Sequence, residues 1–255
     1  MNPTPWHHPS WTERAVIYEV NTRQFTKSGT FAEFKGHLDR LQDLGVDIIW
    51  FMPIYPIGQK QRKGSLGSYY SIKDYKDINP EFGTKEDFKQ LVNEIHKRGM
   101  YVLIDWVANH TAWDNPLTET NPEFYHQNEK GKIVAPFDWE DVAHLNYANR
   151  DLWSYMSGAM EYWVKEFDVD GFRCDVADLV TVEFWNFARN QVEKIKPVFM
   201  LAEAENADYN NLAFNMSYAS SLHRNFTAIA KGDKGAYEII SFLLTSRAIT
   251  GQTPL

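Results

Sequence analysis

Six acidic or basic side chains lie at or just beyond the ends of short apolar stretches, where they are placed to do acid–base or nucleophilic chemistry. They are Asp105, His110, Arg173, Asp175, Glu203 and Glu205. Burying charged groups is costly unless they are paired or hydrogen-bonded, so acids on three separate strand ends indicate a function. A structural alternative stays open: Arg173 and Asp175, two residues apart on one strand, share a side and can simply neutralise each other.

Glycoside hydrolysis is a reaction that uses two carboxyl groups of different protonation state. One carboxylate, held ionised by a neighbouring arginine, attacks the anomeric carbon, while a protonated carboxyl group donates to the leaving oxygen. A retaining mechanism needs the two groups about 5–5.5 Å apart, a separation that side chains on adjacent strands can supply. The acids and the arginine therefore favour a retaining glycosidase over an ion pair without catalytic function.

The hydropathy pattern predicts alternating strands and helices that would hold these side chains in place. Strands are predicted at 15–20, 47–52, 101–107, 171–176, 198–202 and 212–217. Helices are predicted at 30–44, 84–98, 152–167, 181–195, 221–230 and 236–248. Repeated strand–helix units predict a parallel α/β sheet with right-handed crossovers, either doubly wound or a barrel. In a barrel, the carboxyl ends of all strands line one mouth, which would bring the acids together.

The first two predicted helices carry signals at both ends. Thr30 stands as an N-cap with Glu33 three residues later, which is a capping-box pattern, and Gly45 is placed to end that helix. Apolar residues at helical spacing between these ends predict one continuous helix. Thr84 begins the second helix and Gly99 follows it.

The segment 109–149 loses this periodicity and is polar, aromatic and interrupted by three prolines. We interpret it as an inserted domain between the third strand and the next helix. The predicted organisation is a barrel domain formed by 1–108 and 150–255, with 109–149 as the inserted domain.

Composition excludes several classes of protein. The chain has 255 residues, 44% of them hydrophobic, which is enough to bury one large core. The formal net charge of −8 argues against nucleic acid and against an anionic membrane surface as partners. No apolar stretch is long enough to span a membrane, and the first residues do not form a secretory signal, so a cytoplasmic protein, or the mature form of a secreted one, is expected. The single cysteine, Cys174, excludes an internal disulfide and is interpreted as a packing residue.

Five motifs resemble the α-amylase family of glycoside hydrolases in order and spacing. DWVANH (105–110), GFRCDVAD (171–178) and FMLAEAE (199–205) resemble the first three sequence regions of the family. YEVNTRQF (18–25) resembles its first strand, and SYYSIKDYKDINPEFGT (68–84) resembles the loop before its second helix. The resemblance implies a (β/α)8 TIM-type barrel with a short inserted domain B after strand 3.

The resemblance also implies roles for three catalytic residues. Asp175 matches the family's nucleophile, and Arg173 matches the residue that orients it and keeps it ionised. Glu203 matches the general acid/base. Ala202 stands where the family usually has glycine before this acid, which leaves Glu205 as a weaker alternative.

Four further positions match residues that bind sugar or metal in the family. Asp105 matches a carboxylate that braces the site, His110 a donor to the sugar, and Tyr70 the ring on which that sugar stacks. Asn109 matches a position that binds a structural calcium in many members. No cofactor is required for the chemistry itself.

Several departures from the family pattern limit what the resemblance implies. Asp178 and Leu179 replace a common Lys-His pair, which removes acceptor-side sugar contacts and one calcium ligand. The family's Asn-His-Asp motif on the seventh strand, which supplies a third acid, does not occur in the sequence. Because only six strands are predicted, we interpret the chain as a barrel truncated after about six strands and as a fragment of the complete enzyme.

The expected function is retaining hydrolysis of α-1,4-linked glucans or maltooligosaccharides. Two alternatives keep the fold: a non-catalytic glucan-binding remnant, and an α-glucan transglycosylase or isomerase. Most aromatic residues are expected in the core. Tyr70, Trp106, Trp113 and Trp139, near the predicted loops, are the candidates for stacking on sugars.

Overall fold

Six parallel strands form one sheet in the computed structural model, which describes residues 8–250, with side chains up to residue 244. The strands in spatial order are β1 (Ile17–Val20), β2 (Ile48–Phe51), β3 (Tyr101–Trp106), β6 (Gly171–Cys174), β7 (Phe199–Ala202) and β8 (Met216–Ser217). Two further strands, β4 (His110–Ala112) and β5 (Val142–His144), form a separate antiparallel pair. Every pairing in the large sheet is parallel.

The strand order decides between the two predicted architectures. A doubly wound sheet reverses its strand order at a switch point, whereas a barrel adds each new strand beside the previous one. The order here follows the chain without reversal, interrupted in sequence only by the β4–β5 pair. The fold is therefore of the (β/α)8-barrel type, with six of its parallel strands in the part of the chain that the structure describes.

The helices that connect the strands differ widely in length. They are α1 (Thr22–Phe25), α2 (Phe31–Lys35), α3 (Leu38–Asp43), α4 (Lys85–Lys97), α5 (Leu117–Thr120), α6 (Arg150–Phe167), α7 (Val182–Val192), α8 (Ser220–Ala230) and α9 (Tyr237–Thr250). Short 3₁₀ turns lie at Ser10–Thr12, Pro122–Phe124, Ala177–Leu179 and Ala207–Asn210. None of the described helices is both long enough and apolar enough to span a bilayer.

The two faces of the sheet bury different sets of side chains. Alternate residues of β2, Ile49 and Phe51, pack in the large cluster that includes the helices, while Ile48 and Trp50 pack in a smaller cluster on the opposite face. The smaller cluster is the interior of the barrel, and Trp11 stacks on Tyr101 there with ring centroids 3.8 Å apart. Strands buried on both faces explain the nearly continuous apolar stretches in the sequence.

The predicted helix 30–44 is wrong as one continuous helix, because the structure divides it into α2 and α3 at Gly36 and His37. The Thr30 side chain accepts the amide of Glu33 as predicted. The Glu33 carboxylate, however, accepts the amide of Ser28 instead of completing the capping box. The predicted cap of α4 is confirmed, with Thr84 and Asp87 forming a full capping box.

The sixth strand is shorter than predicted, since only two residues of 212–217 pair with β7. The Asn215 side chain explains this, because its carbonyl oxygen accepts the amide of Met200 and its amide group faces His8. Side-chain hydrogen bonds of this kind replace the regular ladder. The tail helices occur close to their predicted positions, although residues 251–255 lie outside the described residues.

The inserted segment begins directly after β3. Its β4–β5 pair joins residues 30 to 34 positions apart and is extended by an isolated bridge between Tyr125 and Leu145. Tyr75, in the preceding loop, donates to the carbonyl oxygens of Val107 and His110 and so fixes the point where the segment leaves the barrel. The division into 1–108 with 150–255 and 109–149 stays a prediction.

Gly171 is expected to be the least replaceable residue of the sheet. A Cβ at this position would lie 1.8 Å from the carbonyl oxygen of Phe199, and its φ of 156° suits glycine. We expect Gly171→Ala to reduce the free energy of unfolding by at least about 2 kcal/mol, because the backbone of β6 or β7 has to move. Urea unfolding followed by far-ultraviolet circular dichroism measures this change.

Gly158→Ala is the matched control. Gly158 lies within α6, and a Cβ there meets nothing within 4 Å, so alanine is expected to stabilise the helix by about 0.5–1 kcal/mol. Equal effects of the two substitutions would contradict the close approach of β6 and β7 at Gly171.

Candidate active site

Arg173 is the centre of the candidate active site. On β6 it is the register partner of Asp105 on β3, and its Nη1 lies 3.0 and 3.2 Å from the two carboxylate oxygens of Asp105. The same Nη1 donates to Oδ1 of Asp175 at 2.8 Å, and Nη2 lies 2.8 Å from Oε1 of Glu203. One guanidinium thus contacts carboxylates from the carboxyl ends of three strands.

Two aromatic residues that the sequence analysis missed hold this arginine in place. The guanidinium carbon lies 5.0 Å from the ring centroid of Trp50 and 5.5 Å from that of Tyr218. Nε of Arg173 donates to the Tyr218 hydroxyl at 3.2 Å, and the Trp50 indole donates to Asp105 at 3.2 Å. Trp50 lies in the predicted second strand, and its alternation toward the barrel interior is the signal that identifies it.

Val176 connects Asp175 to Glu203. Its φ of 36° is left-handed, which is unusual and unfavourable for a β-branched residue. This conformation directs its amide to Oε2 of Glu203 at 2.8 Å. The Glu203 amide in turn donates to the carbonyl oxygen of Cys174, so Asp175 and Glu203 are fixed relative to each other by main-chain contacts.

A cavity of about 570 Å³ opens over these carboxylates. Its lining residues include Lys63, Tyr70, His110, Trp139, Asp141, Arg173, Asp175, Val176 and Glu203. The Tyr70 hydroxyl lies 3.4 Å from the Asp105 carboxylate, and the His110 ring packs edge-on against Trp139. The cavity combines aromatic faces with hydrogen-bonding groups, which is the chemistry that a sugar requires.

Burial raises the pKa of two carboxyl groups that contact Arg173, Asp105 and Asp175. Burial raises the pKa of Asp105 to about 8, against the attraction of Arg173. Burial also raises the pKa of Asp175 to about 6, with the Glu203 carboxylate adding to the effect and Arg173 opposing it. The protons belong to the group as a whole, so the site holds both an ionised carboxylate and an exchangeable proton near pH 6–7.

His110 is neutral in this environment. Burial lowers its pKa to about 4, and the side-chain amide of Asn109 donates to its Nδ1 at 3.1 Å. Nε2 therefore carries the proton. Asn109 is buried beside His110, and the described residues contain no cluster of three or more Asp, Glu, His or Cys side chains that could hold a metal ion. Calcium binding at Asn109 stays a prediction.

The structure places Glu203 and the alternative residue, Glu205, in different environments. Glu205 accepts the amide of Ser221 and lies 3.5 Å from Arg224 at the start of α8, outside the lining of the cavity. Glu203 lies in the cavity with a side chain that is 35% exposed. Only Glu203 of the two contacts Arg173.

The four aromatic residues predicted to stack on sugars lie in different environments in the structure. Trp106 is wrong as a sugar-stacking residue, because it is fully buried between Tyr55, Tyr75 and Phe172. It follows Asp105 on the strand and points to the opposite face, toward the helices. Cys174 is buried in the same layer, as predicted.

Two other aromatic candidates lie on the inserted segment. Trp113 donates its indole N–H to the carbonyl oxygen of Glu140 and is absent from the cavity lining. Trp139 lines the cavity, as does Tyr70. Of the four aromatic candidates, Tyr70 and Trp139 are therefore in place to contact a ligand beside Asp175.

Sequential parallel strands with acids and an arginine at their carboxyl ends define a barrel protein with a site at the usual mouth. The chain belongs to the alpha-amylase family: the family model "Alpha amylase, catalytic domain" matches residues 19–143 and 126–237. The resemblance read from the five motifs is confirmed by this match.

Individual relatives agree with this assignment. An intracellular maltogenic amylase of Bacillus subtilis is 32% identical over 239 residues, which cover 76% of this chain and 38% of the relative. A crystal structure of an alpha-amylase from Lactobacillus plantarum superposes with a TM-score of 0.85 at 38% identity, covering 92% of this chain and 59% of the other. The maltogenic alpha-amylase AmyB of Thermotoga neapolitana gives a TM-score of 0.86 at 38% identity, covering 92% and 56%.

The chain spans only part of the proteins it matches. Three of the curated relatives are covered over 38%, 38% and 46% of their own lengths. The family and fold therefore apply to this chain, while activity and substrate require a separate proposal.

Replacing Arg173 by alanine is expected to destabilise the protein by about 3–5 kcal/mol near pH 8, because three carboxylates lose their shared cation. Burial already raises the pKa of Asp105 to about 8 and of Asp175 to about 6, and both pKa values rise further without the arginine. In the unfolded chain these carboxyl groups have pKa values near 4. The folded variant therefore binds their protons at a higher pH than the unfolded chain does, so its free energy of unfolding rises as the pH falls from 8 toward 5. The loss is therefore expected to be smaller near pH 5, as urea unfolding at both pH values would measure.

Arg189→Ala is the control for this substitution. Arg189 is as deeply buried, and its described partners are the carboxylate of Glu193 and carbonyl oxygens that include those of Ala213 and Val198. The Arg189→Ala variant is expected to lose a similar amount of its free energy of unfolding, and that loss is expected to depend much less on pH. An equal loss at both pH values for the Arg173 variant would contradict a proton shared within the site.

Proposed function

We propose that this site carries out retaining hydrolysis of α-1,4-linked glucans or maltooligosaccharides. The observation that supports it best is the contact of Arg173 with three carboxylates of graded exposure. The Asp105 side chain is fully buried, that of Asp175 is 11% exposed and that of Glu203 is 35% exposed. A structural ion pair would not need an acid that reaches into a 570 Å³ cavity.

In the first step, a carboxylate oxygen of Asp175 attacks the anomeric carbon and the glycosidic bond breaks. Glu203 gives its proton to the leaving oxygen, so that the product is a glycosyl ester on Asp175 and a free sugar end. In the second step, Glu203 takes a proton from a water molecule, whose oxygen attacks the same carbon and releases Asp175. Two inversions leave the anomeric configuration unchanged.

The remaining groups bind and orient. Arg173 keeps Asp175 ionised and aimed into the cavity, with its guanidinium fixed by Trp50 and Tyr218. Asp105 has no exposed surface, so we assign it to bracing Arg173 and Tyr70. Tyr70 supplies a ring face for the sugar, and His110 supplies its Nε2 proton to a sugar hydroxyl.

The substrate class is supported by the names of the relatives, which include maltogenic amylases and cyclomaltodextrinases. Intracellular maltogenic amylase is one of them, and we place this protein in the cytoplasm on that basis. Glycosyl transfer would use the same intermediate with a sugar in place of water. The products formed from maltotriose distinguish the two, since transfer yields chains longer than the substrate.

Asp175→Asn and Glu203→Gln are each expected to reduce kcat for maltoheptaose by at least about 10³-fold, because an uncharged amide can neither attack nor transfer a proton. The measurement is release of reducing sugar by the natural polypeptide that contains these residues. Glu205→Gln is the matched control and is expected to retain activity, since its carboxylate caps α8 away from the cavity.

Three outcomes would contradict the proposal. Turnover by the Asp175 variant would exclude that residue as nucleophile, and loss of activity in the Glu205 variant alone would exchange the roles of the two glutamates. Binding of maltoheptaose without turnover by the unaltered polypeptide would favour a glucan-binding protein instead.

The acid limb of kcat/KM is expected near pH 6. Burial raises the pKa of Asp175 to about 6, and only its ionised form attacks, so the rate falls as the pH decreases through this value. The pH dependence of kcat/KM for maltoheptaose measures the limb, and unchanged circular dichroism at pH 5 is the control for unfolding. An acid limb near pH 4, the usual carboxyl value, would contradict the raised pKa.

A further inference from the structure

A second cavity, of about 440 Å³, lies outside the candidate active site, where the inserted segment meets the start of α6. Its basic lining residues are His126, His144 and Arg150, and we call it the histidine cavity. The described residues that line it include no aspartate or glutamate, although the chain as a whole has 34 acidic and 26 basic residues. A concave surface with basic side chains and no acid favours an anionic ligand.

Arg150 is held in place in this cavity by an aromatic ring. Its guanidinium carbon lies 3.6 Å from the ring centroid of Trp153, and the Trp153 indole donates to the carbonyl oxygen of Tyr147 at 2.9 Å. Within the described part of the chain, the N–H groups of Arg150 make no hydrogen bond and no ion pair. A guanidinium stacked on a ring keeps its N–H edge for a bidentate contact with an anion.

The two histidines supply further donors. His126 and His144 lie on neighbouring antiparallel segments, with the His126 amide donating to the His144 carbonyl oxygen and ring centroids 4.3 Å apart. No ring nitrogen of either residue is hydrogen-bonded to another described residue. Burial lowers the pKa of His144 to about 4, and His126 adds to this effect. An imidazole carries at least one N–H donor even when it is uncharged, so both rings can donate to an anion.

Glu183 is an acid near Arg150 that could compete with such a ligand. Its carboxylate accepts the hydroxyl of Thr181, which lowers the pKa of Glu183, and the charge of Arg150 adds to this effect. Glu183 is exposed and is not among the residues that line the cavity. Solvent and salt screen the attraction between exposed charges, so Glu183 leaves the guanidinium of Arg150 available.

We propose that Arg150, His126 and His144 bind a phosphate group, either inorganic phosphate or the phosphate of a phosphorylated sugar. A guanidinium satisfies two oxygens of a phosphate, and the two imidazoles can donate to its remaining oxygens. A carboxylate ligand has only two oxygens, which the guanidinium alone would satisfy. The cavity volume leaves room for a sugar ring beside the phosphate. This site lies apart from the proposed glycoside chemistry and does not depend on it.

The histidine cavity adjoins two segments that carry active-site residues. His144 is the register partner of His110, and Val142, on the same strand as His144, lines the 570 Å³ cavity. Leu179, which lines the histidine cavity, ends the 3₁₀ turn that begins two residues after Asp175. A bound phosphate group would therefore join the inserted segment to α6 beside the loop that follows β6. Because it binds only the folded protein, it is expected to raise the Tm.

The experiment is titration calorimetry of inorganic phosphate into the natural polypeptide at neutral pH and constant ionic strength. Arg150→Gln is expected to weaken the Kd at least about tenfold, since a charge-assisted contact is lost, and His126→Ala about two- to tenfold. Arg224→Gln is the matched control, because Arg224 lies beside His223 in another cavity but faces the Glu205 carboxylate at 3.5 Å. It is expected to leave the Kd unchanged, and unchanged circular dichroism shows that each variant is folded.

A second titration, with glucose 6-phosphate and with glucose, distinguishes the two sources of the phosphate group. Tighter binding of glucose 6-phosphate than of inorganic phosphate, with the same loss in the Arg150 variant, would identify a sugar phosphate as the ligand. Tighter or equal binding of inorganic phosphate would identify the free ion. Absence of binding at millimolar phosphate, or Kd values and a phosphate-induced rise in Tm that the Arg150 variant retains, would overturn the site. None of these results requires hydrolysis of a glucan.

Discussion

The contact of one guanidinium with three carboxylates is the interaction on which the rest of the site depends. Arg173 is 4% exposed, and a buried cation of this kind requires partners from several elements at once. Those partners come from β3, from the residue after β6 and from the residue after β7. Burial raises the pKa of Asp105 to about 8 and that of Asp175 to about 6, and the shared guanidinium opposes both shifts.

The barrel architecture makes this contact possible. Parallel strands in chain order place all their carboxyl ends at one edge, and the register pairs Asp105 with Arg173 directly. Gly171 lets the first residues of β6 and β7 approach closely, and Glu203, directly after β7, contacts the same guanidinium. The inserted segment then adds Trp139 and Asp141 above the strands, so that the barrel positions the reacting groups and the insertion shapes the cavity around them.

Local signals predicted most of the elements. The strands and the helices α4, α6 and α7 were predicted to within a few residues, because apolar periodicity and threonine caps act over short distances. The prediction failed at two places: the first helix is divided at Gly36 and His37, and β8 is only two residues long beside Asn215, whose side chain accepts the amide of Met200. Trp106 was predicted to stack on sugars because it lies beside the loop after its strand, but strand alternation places it on the face opposite Asp105, where it is buried.

The sequence by itself determined the family, the barrel class and the set of charged residues at the strand ends, since these are carried by motifs that stay intact along the chain. Only the tertiary structure decided which acids contact Arg173, that Glu203 and not Glu205 enters the cavity, and that Trp50 and Tyr218 pack on the guanidinium of Arg173. The physical reason is distance in sequence: Arg173 and Asp105 are 68 positions apart, and their charge, burial and pKa values exist only once the strands are side by side.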